Sequence, residues 1–420
     1  SQSTIPPNML CLELIVESRH DRTISDLFSV LTQQRLPEHS RIMNTGPPSH
    51  VEIDLDALIH NLGHAQQLAG PDKQVIASIK GNAYGHGVLT VAQALQEAGV
   101  YALATGSLDE ARVLRSHGVT LPVLLFAFST TELTVQAARE GFVPTLTSFP
   151  AAETLASAVT EPVSVYLKID AGLGRLGEPL ATAREFIEKA SALKQLQIDG
   201  IYTHVPFAQV SGSDWAAEKL NAFNDFLASL DRAGYAFPVT QAMASCCLLA
   251  GLQDNCTAVC VGHILYGLSP FSAGTPEGAL DLKPVLEGLQ STLIHIGHHN
   301  AGSDVAVGGL YGLKAPRTVG VLPLGLAHGL CRPIPGKDLA ALVDGHRCQV
   351  LSVSLEHTTI DLDGVGHAAT GDSVTLIGRD RQEQITLSEV AEAWGIGPLE
   401  ALLRLSGRIP IKYLGTTAGI

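Results

Sequence analysis

The chain has no excess of basic charge, no apolar run of membrane-spanning length and no cysteine spacing suited to a metal. Its 27 Lys and Arg against 41 Asp and Glu leave a net charge of -14, which argues against nucleic acid or an anionic membrane as partner. Without a long apolar run there is no candidate transmembrane helix. The seven cysteines are an odd number, scattered apart from the adjacent Cys246-Cys247. That usage suits reduced thiols in a cytoplasmic protein rather than a disulfide framework. Met9-Leu-Cys-Leu-Glu-Leu-Ile-Val16 is too short and too acidic for a secretory leader. Charged residues are also scarce, at 16% against 45% hydrophobic, so the 420 residues can bury a large domain and a smaller one.

From residue 75 to about 265, short apolar runs alternate with longer amphipathic stretches. Eight strands are expected at 75–80, 101–106, 122–127, 143–147, 164–169, 199–204, 238–243 and 257–262. Helical segments such as Leu89–Ala98, Ser107–His117 and Asp214–Ala233 lie between them. The expected class is therefore α/β, a (β/α)8 TIM-type barrel. A doubly wound open sheet is the alternative, but no dinucleotide fingerprint accompanies it. Beyond a Pro/Gly/Ser-rich stretch ending near residue 285 the pattern becomes alternating strands, at Ser291–His298, Arg317–Leu324, Ala340–Asp344, Cys348–Asp361 and Ser373–Gly378. The clearest helix there is Ser388–Trp394. The expected organisation is a barrel over 48–285 and a mostly β C-terminal domain over 286–420. For residues 1–47 three readings stand open: an ordered extension, a flexible tail, or an artefact of a start codon assigned upstream of Met43.

Several residues near the expected strand ends carry chemistry. Lys80, in Val75-Ile-Ala-Ser-Ile-Lys-Gly-Asn-Ala-Tyr-Gly-His-Gly87, closes an apolar run at the end of a strand, where parallel barrels place their active groups. An amine held among apolar neighbours loses its proton more easily and becomes a usable nucleophile. Taken alone, it also reads as a surface Lys capping a strand. Arg175, in a Gly-rich loop after the fifth strand, suits a carboxylate or phosphate clamp, or is a solvated loop residue. His204 ends the sixth strand. Ser245 and Gly262-His263 follow the seventh and eighth, where backbone N–H groups gather around anions, although such residues are also ordinary in turns.

The segment Ile79-Lys80-Gly81-Asn82-Ala83-Tyr84-Gly85-His86-Gly87 resembles the signature of alanine racemases, pyridoxal-phosphate enzymes of fold type III. Lys168-Ile-Asp-Ala-Gly-Leu-Gly-Arg-Leu-Gly177 and the opening Val51-Glu-Ile-Asp-Leu-Asp-Ala-Leu58 are similar to two further family segments. The resemblance runs from residue 51 to about 413. It implies that Lys80 holds pyridoxal 5'-phosphate as a Schiff base, with Tyr84, Ser245, Gly262 and His263 at its phosphate and His204 against its ring. It also implies that Arg175 lies near the substrate carboxylate, positioned by Lys168, and that Val51–Leu55 joins the second domain. In the family the enzyme is a homodimer with shared sites, a tyrosine from the partner serving as second base. Matched on Tyr-Gly in Val307-Gly-Gly-Leu-Tyr-Gly312, that base is Tyr311; matched on Val-Gly, the position is Gly309 and the base is missing. Tyr311 is the reading adopted.

This chain departs from the family at several positions. Cys260 stands where the family has an arginine facing the pyridine nitrogen, and a thiol supplies no fixed charge there. Gly325-Leu-Ala-His-Gly329 replaces a Gly-Tyr-Ala-Asp-Gly gate, Leu355-Glu356 replaces a Met-Asp pair near the substrate, and Gly407 replaces a tyrosine before Arg408-Ile-Pro410. The expected activity is racemisation of an amino acid, alanine or a small relative, by proton transfer on both faces of Cα. The alternatives are decarboxylation, retro-aldol cleavage or amino transfer with the same cofactor, or a protein that binds the cofactor without turnover.

Overall fold

Eight parallel strands close on themselves, each followed by helix on the outer face. The structure, a computed structural model, describes residues 47–126, 130–272, 279, 281–305 and 312–416. The strands are Gln74–Ser78, Ala102–Thr105, Val123–Leu125, Val143–Leu146, Val163–Asp170, Leu196–Val205, Val239–Met243 and Ala258–Val261. They lie in chain order around the ring, and the eighth pairs with the first, Val259 opposite Val75 and Cys260 opposite Ile76.

The sequence explains the ring. Ala102–Thr105 and Val123–Leu125 are buried along their whole length, as expected of parallel strands covered on both faces. Alternate side chains point inward. Ile76, Ala102, Ala104, Leu124, Tyr166, Tyr202, Val239 and Ala258 form a separate interior cluster, while the other residues join the larger core under the helices. Gly200 is required here, because a Cβ would come within 2.5 Å of the Tyr166 ring that fills the interior. The closing seam is clamped from below. Lys73 Nζ donates to the Asp254 carboxylate at 2.5 Å and to the carbonyls of Asp254 and Cys256 at 2.9 and 2.7 Å.

The first strand ends at Ser78, two residues before the expected limit, so Lys80 lies beyond the ladder. Ile79 still donates to the carbonyl of Ala104, but from Gly81 the backbone turns left-handed and cannot continue a strand. The second domain is a ten-stranded, mostly antiparallel sheet. The single strand expected at Ser291–His298 is two, Leu286–Thr292 and His295–His299. The one expected at Cys348–Asp361 is also two, His346–Val353 and Thr358–Asp361. The second break is a tight reversal in which Ser354 N–H meets the carbonyl of His357 at 2.8 Å. The strand His50–Asp54 lies in this sheet, antiparallel to Leu286–Thr292 and parallel to Ile411–Leu414. Helices Leu387–Trp394 and Pro398–Leu405 complete the domain. It touches the barrel beside Lys80, where Asn82 Nδ2 donates to Ser406 Oγ at 3.3 Å and Tyr413 OH to the carbonyl of His86 at 3.1 Å.

Candidate active site

The carboxyl ends of the strands surround a cavity of about 740 Å3. Lys80, Tyr84, Lys168, Arg175, His204, Ser245, Cys260, Gly262 and His263 all line it. Residues from the ends of five barrel strands, the first and the fifth to eighth, thus converge as the topology dictates. Among the described residues the lining holds three fixed or potential cations, Lys80, Lys168 and Arg175, and no Asp or Glu. In a chain of net charge -14 this is a local inversion of sign that selects an anionic guest.

Lys80 enters the cavity from a single turn of left-handed helix. Gly81, Asn82, Ala83 and Tyr84 have φ of 65°, 55°, 53° and 54°. For residues other than glycine this handedness costs roughly 1–2 kcal/mol each, so the turn persists only because its surroundings hold it. The Lys80 amine stands between two rings, 5.8 Å from the centroid of Phe126 and 5.9 Å from that of Tyr84. The lysine as a whole is exposed where it opens into the cavity, while its amine end is flanked by these rings. Burial, with Arg175 adding repulsion, lowers its pKa from the ordinary lysine value. Lys168 sits on the fifth strand with its Nζ 4.2 Å from the centroid of the Tyr202 ring, directly across the strand pair. Burial and Arg175 pull it down to about 8.

The two histidines are neutral. Burial, reinforced by the Lys168 and Lys80 amines, holds His204 at about 3, and burial and Lys80 hold His263 at about 4. Cys260, on the eighth strand, is pushed up to about 11 by burial and stays an uncharged thiol.

One wall joins the loops after the seventh and eighth strands. Ser245 Oγ accepts the N–H of Gly262 at 3.0 Å and that of Ile264 at 3.4 Å, which ties the seventh loop to the eighth. Tyr84 closes on the same turn. A Cβ at Gly262 would lie 2.3 Å from its hydroxyl, so only glycine admits the phenol there. The Tyr84 ring is stacked on Tyr266 at 4.7 Å, which in turn stacks on His86 at 4.7 Å. Burial raises the Tyr84 phenol to about 12, so it remains a donor.

One residue expected at the site, Leu355, does not line this cavity. Leu355 is 67% exposed on the reversal between two strands of the second domain. Tyr311 and Gly309 lie outside the described residues. Conversely, sequence reasoning missed Phe126, Tyr202, Phe207 and Cys246, all of which line the cavity. Tyr202 had a signal, the inward parity it shares with His204 on one strand. The others depend on loop paths.

A parallel barrel with a lysine amine of lowered pKa in a cavity that holds no acid among the described residues, followed by a β domain, fits the class of lysine-based enzymes. Comparison with known proteins narrows the class. The chain belongs to the alanine racemase family: the model of the family's N-terminal domain matches residues 53–270 and that of its C-terminal domain residues 287–413. It is 35% identical over 373 residues to the alanine racemase of Thioalkalivibrio sulfidiphilus, covering 87% of this chain and 99% of that one. Among solved structures it is similar to alanine racemase from Clostridium difficile 630, with TM-score 0.81 and 26% identity over 89% of this chain and 97% of that one. It is also similar to the Bacillus anthracis enzyme with bound L-Ala-P, with TM-score 0.80 and 28% identity over 89% and 96%. The chain is accordingly an isomerase, an amino-acid racemase. Among the described residues no helix is long and apolar enough to cross a membrane.

Proposed function

We propose that the chain interconverts the L and D forms of a small amino acid, alanine or a close relative, with pyridoxal 5'-phosphate carried on Lys80. The observation that carries this reading is a lysine amine of lowered pKa that shares its cavity with two other cations and, among the described residues, with no carboxylate. The residues present suit that cofactor. The Ser245–Gly262–Ile264 wall and the Tyr84 phenol make an anion cradle for its phosphate, with His263 alongside, and the neutral His204 can lie against its ring. Cys260 would face the ring without charge, unlike an arginine. The bound cofactor supplies an electron sink that acidifies the Cα–H bond of the substrate amine.

The chain's own residues do the rest. Arg175 fixes the substrate carboxylate, and Lys168 holds its place behind it. Lys80, whose amine loses its proton below the ordinary lysine range, exchanges the Cα proton on one face. Tyr311 of the partner subunit serves the other face in a homodimer, and the exposed Leu355 reaches toward the partner's site. In this reading residues 48–285 are the cofactor domain, 286–420 the partner-facing domain and 1–47 an extension. The unpaired cysteines among the described residues support a reducing compartment, the cytoplasm.

The test is Cα hydrogen exchange in D2O with added cofactor and a panel of L- and D-amino acids, followed by NMR and chiral chromatography. Deuterium entering both enantiomers supports the proposal. Exchange with retained configuration, or a new product, replaces it with one-face chemistry. Tyr311→Phe should lower racemisation about 10²–10⁴-fold while sparing exchange on the lysine face.

A further inference from the structure

We propose that Glu110 is a positioning residue for Lys80: its carboxylate pins the left-handed turn that starts one residue after the lysine, and so fixes where the amine stands. The inference rests on the reading of Lys80 as the working amine.

Local sequence gives Glu110 a different task. Ser107-Leu-Asp-Glu110 opens the helix Leu108–Ser116 with the spacing of a capping box, in which the serine caps the glutamate's N–H and the glutamate side chain reaches back to the serine's N–H. Only the first half is present. Ser107 Oγ accepts Glu110 N–H at 3.2 Å, but Ser107 N–H goes to Thr105 Oγ1 at 3.3 Å. The carboxylate turns away from its own helix. One oxygen accepts the backbone N–H of Asn82 at 2.6 Å, and the other accepts the hydroxyl of Thr105, which is fully buried at the end of the second barrel strand. A side chain that gives up its local partner for a distant one marks a site where tertiary demand overrides local preference.

The demand is the turn itself. Ala83 N–H bonds the carbonyl of Ile79 at 2.8 Å and Gly85 N–H that of Gly81 at 3.0 Å, so the turn is a closed left-handed loop. Asn82 is its hub. Its side-chain oxygen accepts Val88 N–H at 2.9 Å and its amide reaches Ser406 in the second domain, while its backbone N–H is left for Glu110. A short bond to that N–H, from a side chain anchored at both oxygens, is the rigid support that strained backbone requires. Glu110 itself does not line the cavity, so it acts through the turn and not on the substrate.

The experiment compares Glu110→Ala, Glu110→Gln and the wild type as full-length, cofactor-loaded protein. Gln keeps an oxygen for Asn82 N–H and an amide donor for Thr105 Oγ1, whereas Ala keeps neither. Glu110→Ala should lower kcat about 10²-fold, the scale of an ångström-sized misplacement, with KM changed far less. The visible circular dichroism of the bound cofactor should weaken with it, and Glu110→Gln should restore both. Equal loss in Ala and Gln would overturn the proposal, because charge rather than hydrogen-bonded geometry would then matter. So would a Glu110→Ala protein with lowered Tm but unchanged kcat and dichroism. If Glu110→Ala does not fold, Thr105→Val removes one anchor of the carboxylate and must show the same changes at smaller amplitude; a silent Thr105→Val overturns the proposal. Borohydride trapping and peptide mass spectrometry of the wild type test the underlying reading separately. A cofactor trapped on a lysine other than Lys80 refutes that reading whatever the Glu110 variants do.

Discussion

Gly262→Ala is the perturbation whose outcome the structure constrains most tightly. Gly262 has φ of -131°, outside the left-handed region that favours glycine, so the argument against alanine here rests on the space its side chain would need. The added methyl would stand 2.3 Å from the Tyr84 hydroxyl and 2.7 Å from Cζ, where ordinary contact begins about 1 Å further out. Tyr84 cannot yield easily, because its ring is stacked on Tyr266, whose own hydroxyl donates to the carbonyl of Ser78 at 3.1 Å. Overpacking of this kind costs about 1–3 kcal/mol of stability. The larger effect falls on the cradle. A phenol moved off its position loses a hydrogen bond to a charged group worth about 1.5–3 kcal/mol, or about 10- to 150-fold in cofactor affinity. The assay is titration of the cofactor-free protein with pyridoxal phosphate, read by absorbance, beside calorimetric Tm. Tyr84→Phe should weaken binding by a similar factor. The double variant should be little worse than either single one, since both remove the same contact. Unchanged affinity in Gly262→Ala, or fully additive losses, would refute the assignment of Tyr84 and the Gly262 turn to the phosphate.

Lys73→Met leaves the Asp254 carboxylate buried without its partner at the barrel seam and should cost about 3–5 kcal/mol of stability, with a lower Tm; an unshifted Tm would count against the clamp. For Lys168, held at about 8 against 10.5 in the free side chain, the folded state binds fewer protons than the unfolded chain between those values, so stability rises with pH across that window. Lys168→Met should flatten that rise and stabilise the cofactor-free protein at neutral pH by at most about 3 kcal/mol, and melting curves at stepped pH check both. Cys260, raised from 9 to about 11, carries about 10²-fold less thiolate than an ordinary cysteine at neutral pH. Its alkylation by iodoacetamide in the cofactor-free protein should be slower by that factor, measured by peptide mass spectrometry; rapid labelling would show a charged or exposed thiol.

Much of the barrel was legible because parallel strands covered on both faces must be apolar throughout. Val143–Leu146 and Val239–Met243 were placed within a residue of their limits. The second domain was less legible. Its strands alternate, and alternation continues through the apolar Leu293-Ile294 and through Ser354-Leu-Glu-His357, where no glycine or proline announces the breaks. At the site, motif residues such as Lys80 and Arg175 stood out by their glycine-rich company, whereas Phe126 and Cys246 carried no such signal.

The sequence by itself determined the barrel's alternation of strands and helices, the net negative charge, and the chemical types at the strand ends. These follow from local periodicity and composition, which need no knowledge of distant neighbours. Only the tertiary structure decided that Lys80 rides a left-handed turn, that Glu110 abandons its own helix cap to hold it, and that three cations share one cavity with no carboxylate among the described residues. Each of these depends on which residues remote in sequence become neighbours. That is set by barrel closure and strand register, and not by anything local to the residues concerned.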